Sequence, residues 1–300
     1  MRVVISTCNI GMKMNSMNNL YRLISKVPNY VRQFGLVDGL RLLVQIEKLN
    51  PLPQKSDRIA AYKVPGYGSP IYLRNCVGDH AIFWQCLVMN QYDFSQFPQS
   101  KRLNEIYADS VNAGTTPVII DCGGNIGLAA IWFAEQFPKA KILCIEPEES
   151  NFDLLQRNIQ QYAGRVVAMK GGVWSEPGTL SIVNPDAGPS AFRVQLQDMP
   201  ATANTIRCYT MDELLAAANT TDPLIVKIDI EGAQADLFSK NTDWVIHTDL
   251  ITLELDDWQF PWQGTSRSFF KCLSNHPFDY LMGGESIFCF NDKMAERRIN

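Results

Sequence analysis

The rhythm of apolar and polar positions changes near residue 117. Upstream, Leu20, Ile24, Val27 and Val31 recur near helical spacing. They predict helices over residues 17–27 and 28–47, with Pro28 at the start of the second and Gly35 as a stop or break. Residues 58–64 and 70–73 read as two strands around the turn Pro65-Gly66-Tyr67-Gly68. Asp79 is placed to cap a helix reaching Tyr92, with Ile82, Phe83, Cys86 and Leu87 on one face. A helix over 101–111 and a polar linker over 112–116 complete this part.

From residue 117 short apolar runs alternate with helical patterns. Strands are predicted at 118–121, 141–146, 166–170, 224–230 and 249–255, and helices near 127–137, 149–162, 210–218, 234–240 and 266–275. Residues 278–282 and 286–290, joined around Gly283-Gly284, close the chain as a hairpin. Such alternation means an α/β fold, a mostly parallel sheet with helices on both faces. An extra β-rich insert is expected over 173–182 and 205–208. The expected organisation is a helical and β-hairpin extension over residues 1–114 and a Rossmann-like domain over 115–300.

Composition narrows the class of protein. A hydrophobic share of 46% suffices for a substantial core, and the net charge of −4 argues against generic nucleic-acid binding. That charge is uneven. Residues 1–50 hold Arg2, Lys13, Arg22, Lys26, Arg32, Arg41 and Lys48 against Asp38 and Glu47, about +5, which leaves about −9 for the rest. A basic helical arm can touch an anionic membrane or a partner, or be the solvated face of helices. The eight cysteines are scattered, with no CxxC and no close Cys/His cluster for zinc, as in a reduced cytoplasmic protein. The N-terminus lacks a signal-peptide core, and no uncharged apolar stretch approaches the ~20 residues of a spanning helix.

The candidate chemistry begins with Asp121-Cys122-Gly123-Gly124-Asn125-Ile126-Gly127, where a buried strand feeds a glycine turn and a helix N-terminus, the form of a cofactor-binding element. Compared with G-x-G-x-x-G, the first glycine is missing and Asp121 stands before the turn, expected to point into the crevice above the sheet. A carboxylate there repels a pyrophosphate and welcomes a ligand with an ammonium group and hydroxyls, such as S-adenosylmethionine. Glu146, at the end of the second strand and 19 residues past Gly127, is placed to accept hydrogen bonds from both ribose hydroxyls of an adenosine. That acid alone does not separate NAD from S-adenosylmethionine. In the fourth strand, Lys227, Asp229 and Glu231 alternate at period two and can face one side. Charges on a central strand are costly unless paired or used, and this strand's end opens onto the same crevice.

These three segments, with Ile145-Glu146-Pro147 and Lys227-Ile228-Asp229-Ile230-Glu231-Gly232, resemble the FkbM family of methyltransferases. The resemblance covers about residues 60–291 and implies a class I methyltransferase fold with a C-terminal antiparallel hairpin. It implies S-adenosylmethionine as methyl donor, and usually O-methylation of sugars or small natural products. It assigns Asp121, Gly123, Asn125 and Gly127 to the donor loop, Glu146 to the ribose, and Gly172 and Val173 to the adenine side. Trp174 is either a further stacking partner or a buried aromatic of the insert.

Methyl transfer is an in-line displacement, so the acceptor oxygen must sit about 3 Å from the methyl carbon, opposite sulfur. A sugar hydroxyl also needs its proton removed. Asp229 and Glu231 are the candidate bases, with His80 as a further titratable candidate and His247 as a structural histidine. Lys227 and Glu254 are candidate acceptor-binding groups. Asp229, Glu254, Asp256 and Asp257 form an oxygen-rich rim that would suit magnesium or calcium, but carboxylates bonding acceptor hydroxyls need no metal, and none is expected. Two rival readings remain: an NAD-dependent oxidoreductase, which would lack an obvious Tyr-x-x-x-Lys or metal-bound catalytic group, and a non-catalytic binding protein that keeps the fold.

Overall fold

The computed structural model describes residues 8–47, 52–182, 194–196, 206–230 and 233–296, with backbone alone for 8–20, 181–182, 194–196 and 296. The chain divides into two compact units, Met1–Met89 and Asn90–Asn300.

In the first unit, α1 (Cys8–Phe34) and α2 (Leu36–Ile46) form a helical hairpin. Gly35, at φ 79, makes the expected break. Pro28 does not: α1 runs through it. A proline inside a helix loses one backbone hydrogen bond. Here contacts on both sides of it hold the helix to the end of α2, because Glu47 accepts from Lys26 Nζ at 2.6 Å and from the Tyr30 hydroxyl at 3.2 Å. Close packing also requires Gly39, where a Cβ would lie 2.5 Å from the Tyr30 carbonyl oxygen. Then β1 (Ile59–Tyr62) and β2 (Ile71–Arg74) pair antiparallel, and α3 (Val77–Phe83) follows. Asp79 is not the cap of α3. It lies inside the helix, and its carboxylate turns to the Arg74 backbone N–H at 2.7 Å and the Arg74 guanidinium at 2.9 Å, because a buried carboxylate beside an arginine fork gains more there than from a single cap bond. A π-helical turn, Trp84–Val88, ends the unit's helical run short of Tyr92.

The second unit opens with α4 (Gln99–Asn112), followed by β3 (Val118–Cys122), α5 (Leu128–Gln136), β4 (Lys141–Glu146), α6 (Glu149–Ile159) and β5 (Val166–Lys170). An insert holds β6 (Gly172–Val173), β7 (Thr179–Ile182), β8 (Val194–Leu196) and β9 (Ile206–Tyr209). Next come α7 (Met211–Ala218), β10 (Ile225–Ile228), α8 (Gln234–Leu237), α9 (Trp244–His247) and β11 (Leu250–Glu254). Last are α10 (Arg267–Leu273), β12 (Phe278–Gly283), β13 (Ser286–Asn291) and α11 (Lys293–Glu296). The compact units part between Met89 and Asn90. Residues 90–112 pack with the second unit: Tyr92 lies 5.6 Å from the Phe133 ring, and the Arg102 guanidinium donates to the Met294 carbonyl at 2.7 Å.

The main sheet runs β12-β13-β11-β10-β3-β4-β5, with β11, β10, β3, β4 and β5 parallel and β13 antiparallel to its neighbours. This is the α/β Rossmann-like class I sheet with its C-terminal hairpin. Every residue of β3 is buried, as a strand covered on both faces requires. The chain moves outward from β3 to β5 and returns to β10 on β3's other side. The crevice at the carboxyl ends of β3 and β10 is therefore the topological switch point, where α/β sheets bind ligands. The insert forms its own sheet, ordered β6-β9-β7-β8.

Candidate active site

Steric contacts dictate the glycine turn after β3. Gly123 sits at φ 85, and a Cβ there would come within 1.8 Å of the Asp229 carbonyl oxygen. At Gly124 the added carbon would meet Cys144 Sγ at 2.1 Å. Gly127, at φ 87, caps α5 and lets it lie against Leu155 and Ile159 of α6. The Gly123 and Gly124 N–H groups both donate to the Ile145 carbonyl, at 3.0 and 2.8 Å, which ties the turn to the end of β4. Asn125 takes a left-handed conformation at φ 48, which asparagine tolerates better than most residues.

Glu146 ends β4 and touches the same turn. Its Oε2 accepts the Asn125 N–H at 2.8 Å, and its Oε1 accepts the Glu148 N–H at 3.0 Å and the Asn151 amide at 3.3 Å. The helix cap itself is Glu148, whose side chain accepts the Asn151 N–H at 2.7 Å. Burial pushes the Glu146 carboxyl up to about 7, while the Glu148 and Asn125 N–H groups and the Asn151 amide pull it back toward ionisation. Gly171 N–H donates to the Glu146 carbonyl at 3.1 Å, so the chain beyond β5 turns past the same acid into Gly172 and Val173. The Val173 side chain is spent on the hydrophobic core, which leaves its backbone for any ligand contact. Trp174 is a core residue of the insert, packed with Leu180, Cys208 and Ala233.

Asp121 does not point into the crevice. It is fully buried, with Oδ1 3.0 Å from Lys227 Nζ and Oδ2 accepting from Cys144 Sγ at 3.2 Å. Lys227 pairs with two acids, Asp121 and, with Nζ 3.6 Å from Oδ2, Asp229; its ammonium lies beneath the turn and donates to the Gly123 carbonyl at 2.7 Å. Burial opposes that charge, but Asp121, Tyr92 and Asp229 together hold the Lys227 ammonium well above the ordinary lysine range. The Tyr92 ring centroid is 5.8 Å from Nζ.

Asp229 just outlasts β10, with its N–H donating to the Cys122 carbonyl at 3.0 Å and its side chain partly exposed. Glu254, at the end of β11, is bonded by the Gln91 amide. Its carboxyl is pushed up to about 7 by burial, then by the Asp229 and Glu285 charges, while Lys227 and the Gln91 amide lower it. Asp121, Lys227, Asp229 and Glu254 thus form one electrostatic set across the carboxyl ends of β3, β10 and β11. Glu231 lies outside the described residues, as do residues 183–193 and 197–205. His80 belongs to the first unit, where it is buried edge-on to Tyr62 at 6.4 Å. His247 is exposed and lies 3.2 Å from Asp222. Among the described residues no group of three His, Cys, Asp or Glu side chains converges to hold a metal, and no described helix is long and apolar enough to cross a membrane.

Sequence reasoning missed Gln91, Tyr92 and Ser286, whose hydroxyl accepts from the Gln91 amide at 3.4 Å. Gln91 and Glu254 are 163 residues apart, and neither lies in a motif.

Comparison with known proteins places the chain in a family. The methyltransferase FkbM domain matches residues 121–274, and the chain belongs to that methyltransferase family. It is 27% identical over 139 residues to the hexuronic acid methyltransferase AglP of Haloferax volcanii, covering 46% of this chain and 55% of that protein. Methyltransferase sdnD of Sordaria araneosa is 32% identical over 100 residues, covering 31% of this chain and 39% of its own. The matched region therefore spans about half or less of these relatives. A solved methyltransferase from Geobacter sulfurreducens overlays at a TM-score of 0.32 with 14% identity, over 63% of this chain and 76% of that one, too loose a superposition to compare sites.

Proposed function

We propose that the protein transfers a methyl group from S-adenosylmethionine to a hydroxyl oxygen of a sugar or a similarly hydroxylated natural product. The observation that carries this reading is the pair of carboxylates, Asp229 and Glu254, at the mouth of the switch-point crevice beside a glycine turn that ends on Glu146.

The chain's residues fit the donor. A carboxylate offers about four acceptor sites, and Glu146 Oε2 carries one described bond, to Asn125, which leaves room for a ribose hydroxyl. The turn with Asp121, Gly123, Asn125 and Gly127 would hold the donor's amino-acid end through its backbone. Asp121 acts indirectly in this reading: with Lys227 it fixes the Gly123 carbonyl. Gly172 and the Val173 backbone would border the adenine. When bound, S-adenosylmethionine supplies an electrophilic methyl carbon on a sulfonium.

The remaining work falls to the acceptor side. Asp229 and Glu254 would bind the acceptor hydroxyl, and one of them would take its proton. A carboxyl near 7, as Glu254 is, is well matched to that task at neutral pH. Asp229 lies 3.6 Å from the Lys227 ammonium, while Glu254 is bonded by the Gln91 amide, which favours Asp229 as hydroxyl binder and Glu254 as proton acceptor. Glu231 remains a candidate of the same segment. The name of the Haloferax relative, a hexuronic acid methyltransferase, supports a sugar acceptor. Transfer of labelled methyl from S-adenosylmethionine to pools of glycans and hydroxylated small molecules tests the reading. Label in an alkali-stable ether of a sugar supports it, and label confined to amines or thiols contradicts it.

A further inference from the structure

The first unit carries an exposed apolar stripe beside basic side chains. On α2, Val37, Leu40 and Val44 recur at helical spacing and stand 78%, 39% and 70% exposed, while Leu42, Leu43 and Ile46 fill the buried side. On α1, Tyr21 and Ile24 are 75% and 57% exposed. Single exposed apolar side chains are ordinary, but a run of them at helical spacing on a two-helix hairpin is the kind of patch that meets a partner or a membrane.

Charge decides between these. Arg22, Arg32 and Arg41 are exposed on the same hairpin. The acids of residues 8–47 are Asp38 and Glu47; Glu47 is turned inward by Lys26 and Tyr30, and Asp38 pairs with Arg41 at 3.1 Å. Beside α2 lies a cleft of about 590 Å³ lined by Arg41, Gln45, Tyr62 and Lys63. On α2 Arg41 stands one turn from Val37 and Gln45 one turn from Arg41, so the rim of the cleft borders the apolar stripe. Two cations with an amide and a phenol suit a phosphodiester headgroup, and the stripe suits the acyl boundary above it. A second copy meeting this face through a two-fold axis would instead bring arginines of like charge together.

We propose that this face of the first unit seats the protein on an anionic phospholipid surface, with Val37, Leu40 and Val44 in the interface and Arg41 and Lys63 on a lipid phosphate. This inference does not depend on the methyl-transfer reading.

Co-sedimentation of the full chain with vesicles tests it. One set is phosphatidylcholine alone and the other phosphatidylcholine mixed with phosphatidylglycerol, with and without excess inorganic phosphate. The expected result is binding to the anionic vesicles only, weakened by salt and little affected by free phosphate. Arg41→Ala and Lys63→Ala should each weaken it by roughly fivefold, the weight of one cation at an anionic surface. Val37→Asp with Val44→Asp should weaken it at least about tenfold. Both side chains are mostly exposed, so an unchanged circular dichroism spectrum and melting temperature would certify the fold. A chain that stays in the supernatant with anionic vesicles overturns the proposal, as does undiminished binding by the double aspartate variant. Sedimentation equilibrium showing a dimer that the double variant abolishes, without vesicle binding, would reassign the face to self-association and also overturn it.

Discussion

Lys227 and Asp121 are register partners on the neighbouring parallel strands β10 and β3, and their side chains meet at 3.0 Å with almost no solvent on either. Pairing the strands in this register is enough to bring the charges together. The pair then carries the site, because the same ammonium holds the Gly123 carbonyl and lies beside Asp229.

Removing one member should be far worse than removing both. Lys227→Met leaves a buried carboxylate uncompensated and should cost about 3–5 kcal/mol of stability. Combining it with Asp121→Asn should recover most of that loss, since no buried charge then remains. Urea denaturation of the single and double variants measures both. A single variant within about 1 kcal/mol of wild type would show that water reaches this pair.

The turn tolerates no side chain at its first glycine. Gly123→Ala would press a methyl group into the Asp229 carbonyl, 1.8 Å away in the present geometry, at a φ that L residues rarely adopt. Separation of β3 from β10 should follow, with a lower melting temperature and loss of turnover beyond the loss of fold. Gly114→Ala is the control: its φ is 76, but its Cβ would meet nothing within 4 Å, so it should cost only about 1 kcal/mol of backbone strain. Equal melting temperatures in the two variants would contradict the close approach.

On the proposed role of Glu254 as proton acceptor, this residue should set the acid limb of the rate. Its carboxyl must be ionised to take a proton and is pushed up to about 7, so kcat/KM for the acceptor at saturating donor should fall about tenfold per pH unit below that point and level off above it. Glu254→Gln should abolish the limb and lower turnover about 10²- to 10⁴-fold. The Gln91 amide lowers this carboxyl, so Gln91→Leu should move the limb to higher pH while leaving donor affinity unchanged. A pH profile unmoved in Gln91→Leu would remove Glu254 from the proton path. Asp229→Asn should cut turnover more than donor affinity, and equal losses would move Asp229 to the donor side.

On the proposed ribose contact, Glu146 should make donor affinity itself pH-dependent. Ionised, this carboxyl would accept from the ribose hydroxyls more strongly than as the neutral acid, and burial pushes the group up to about 7. Affinity for S-adenosylhomocysteine should therefore fall as pH drops from 8 toward 6, and Glu146→Gln should remove most of that dependence.

The order of strands and helices was legible because a strand buried on both faces leaves a continuous apolar run, as residues 118–120, 142–145 and 224–226 do. The glycine turn and the place of Glu146 at the end of β4 were legible because both follow from local sequence. The direction of Asp121 was not, because only strand register reveals that Lys227 sits opposite it. Gln91 was hidden for the same kind of reason: its contact with Glu254 spans 163 residues of sequence. Pro28 misled because its local cost is outweighed by Lys26 and Tyr30 reaching Glu47 across the hairpin.

Calorimetric titration of S-adenosylhomocysteine into the wild-type chain and Glu146→Gln, with NAD as the competing ligand, bears most directly on the donor site. Saturable one-to-one binding is expected in the wild type, weaker by about 1–3 kcal/mol in the variant, with no heat from NAD. Binding of NAD, or S-adenosylhomocysteine affinity that is absent or indifferent to Glu146, would contradict the assignment of this crevice.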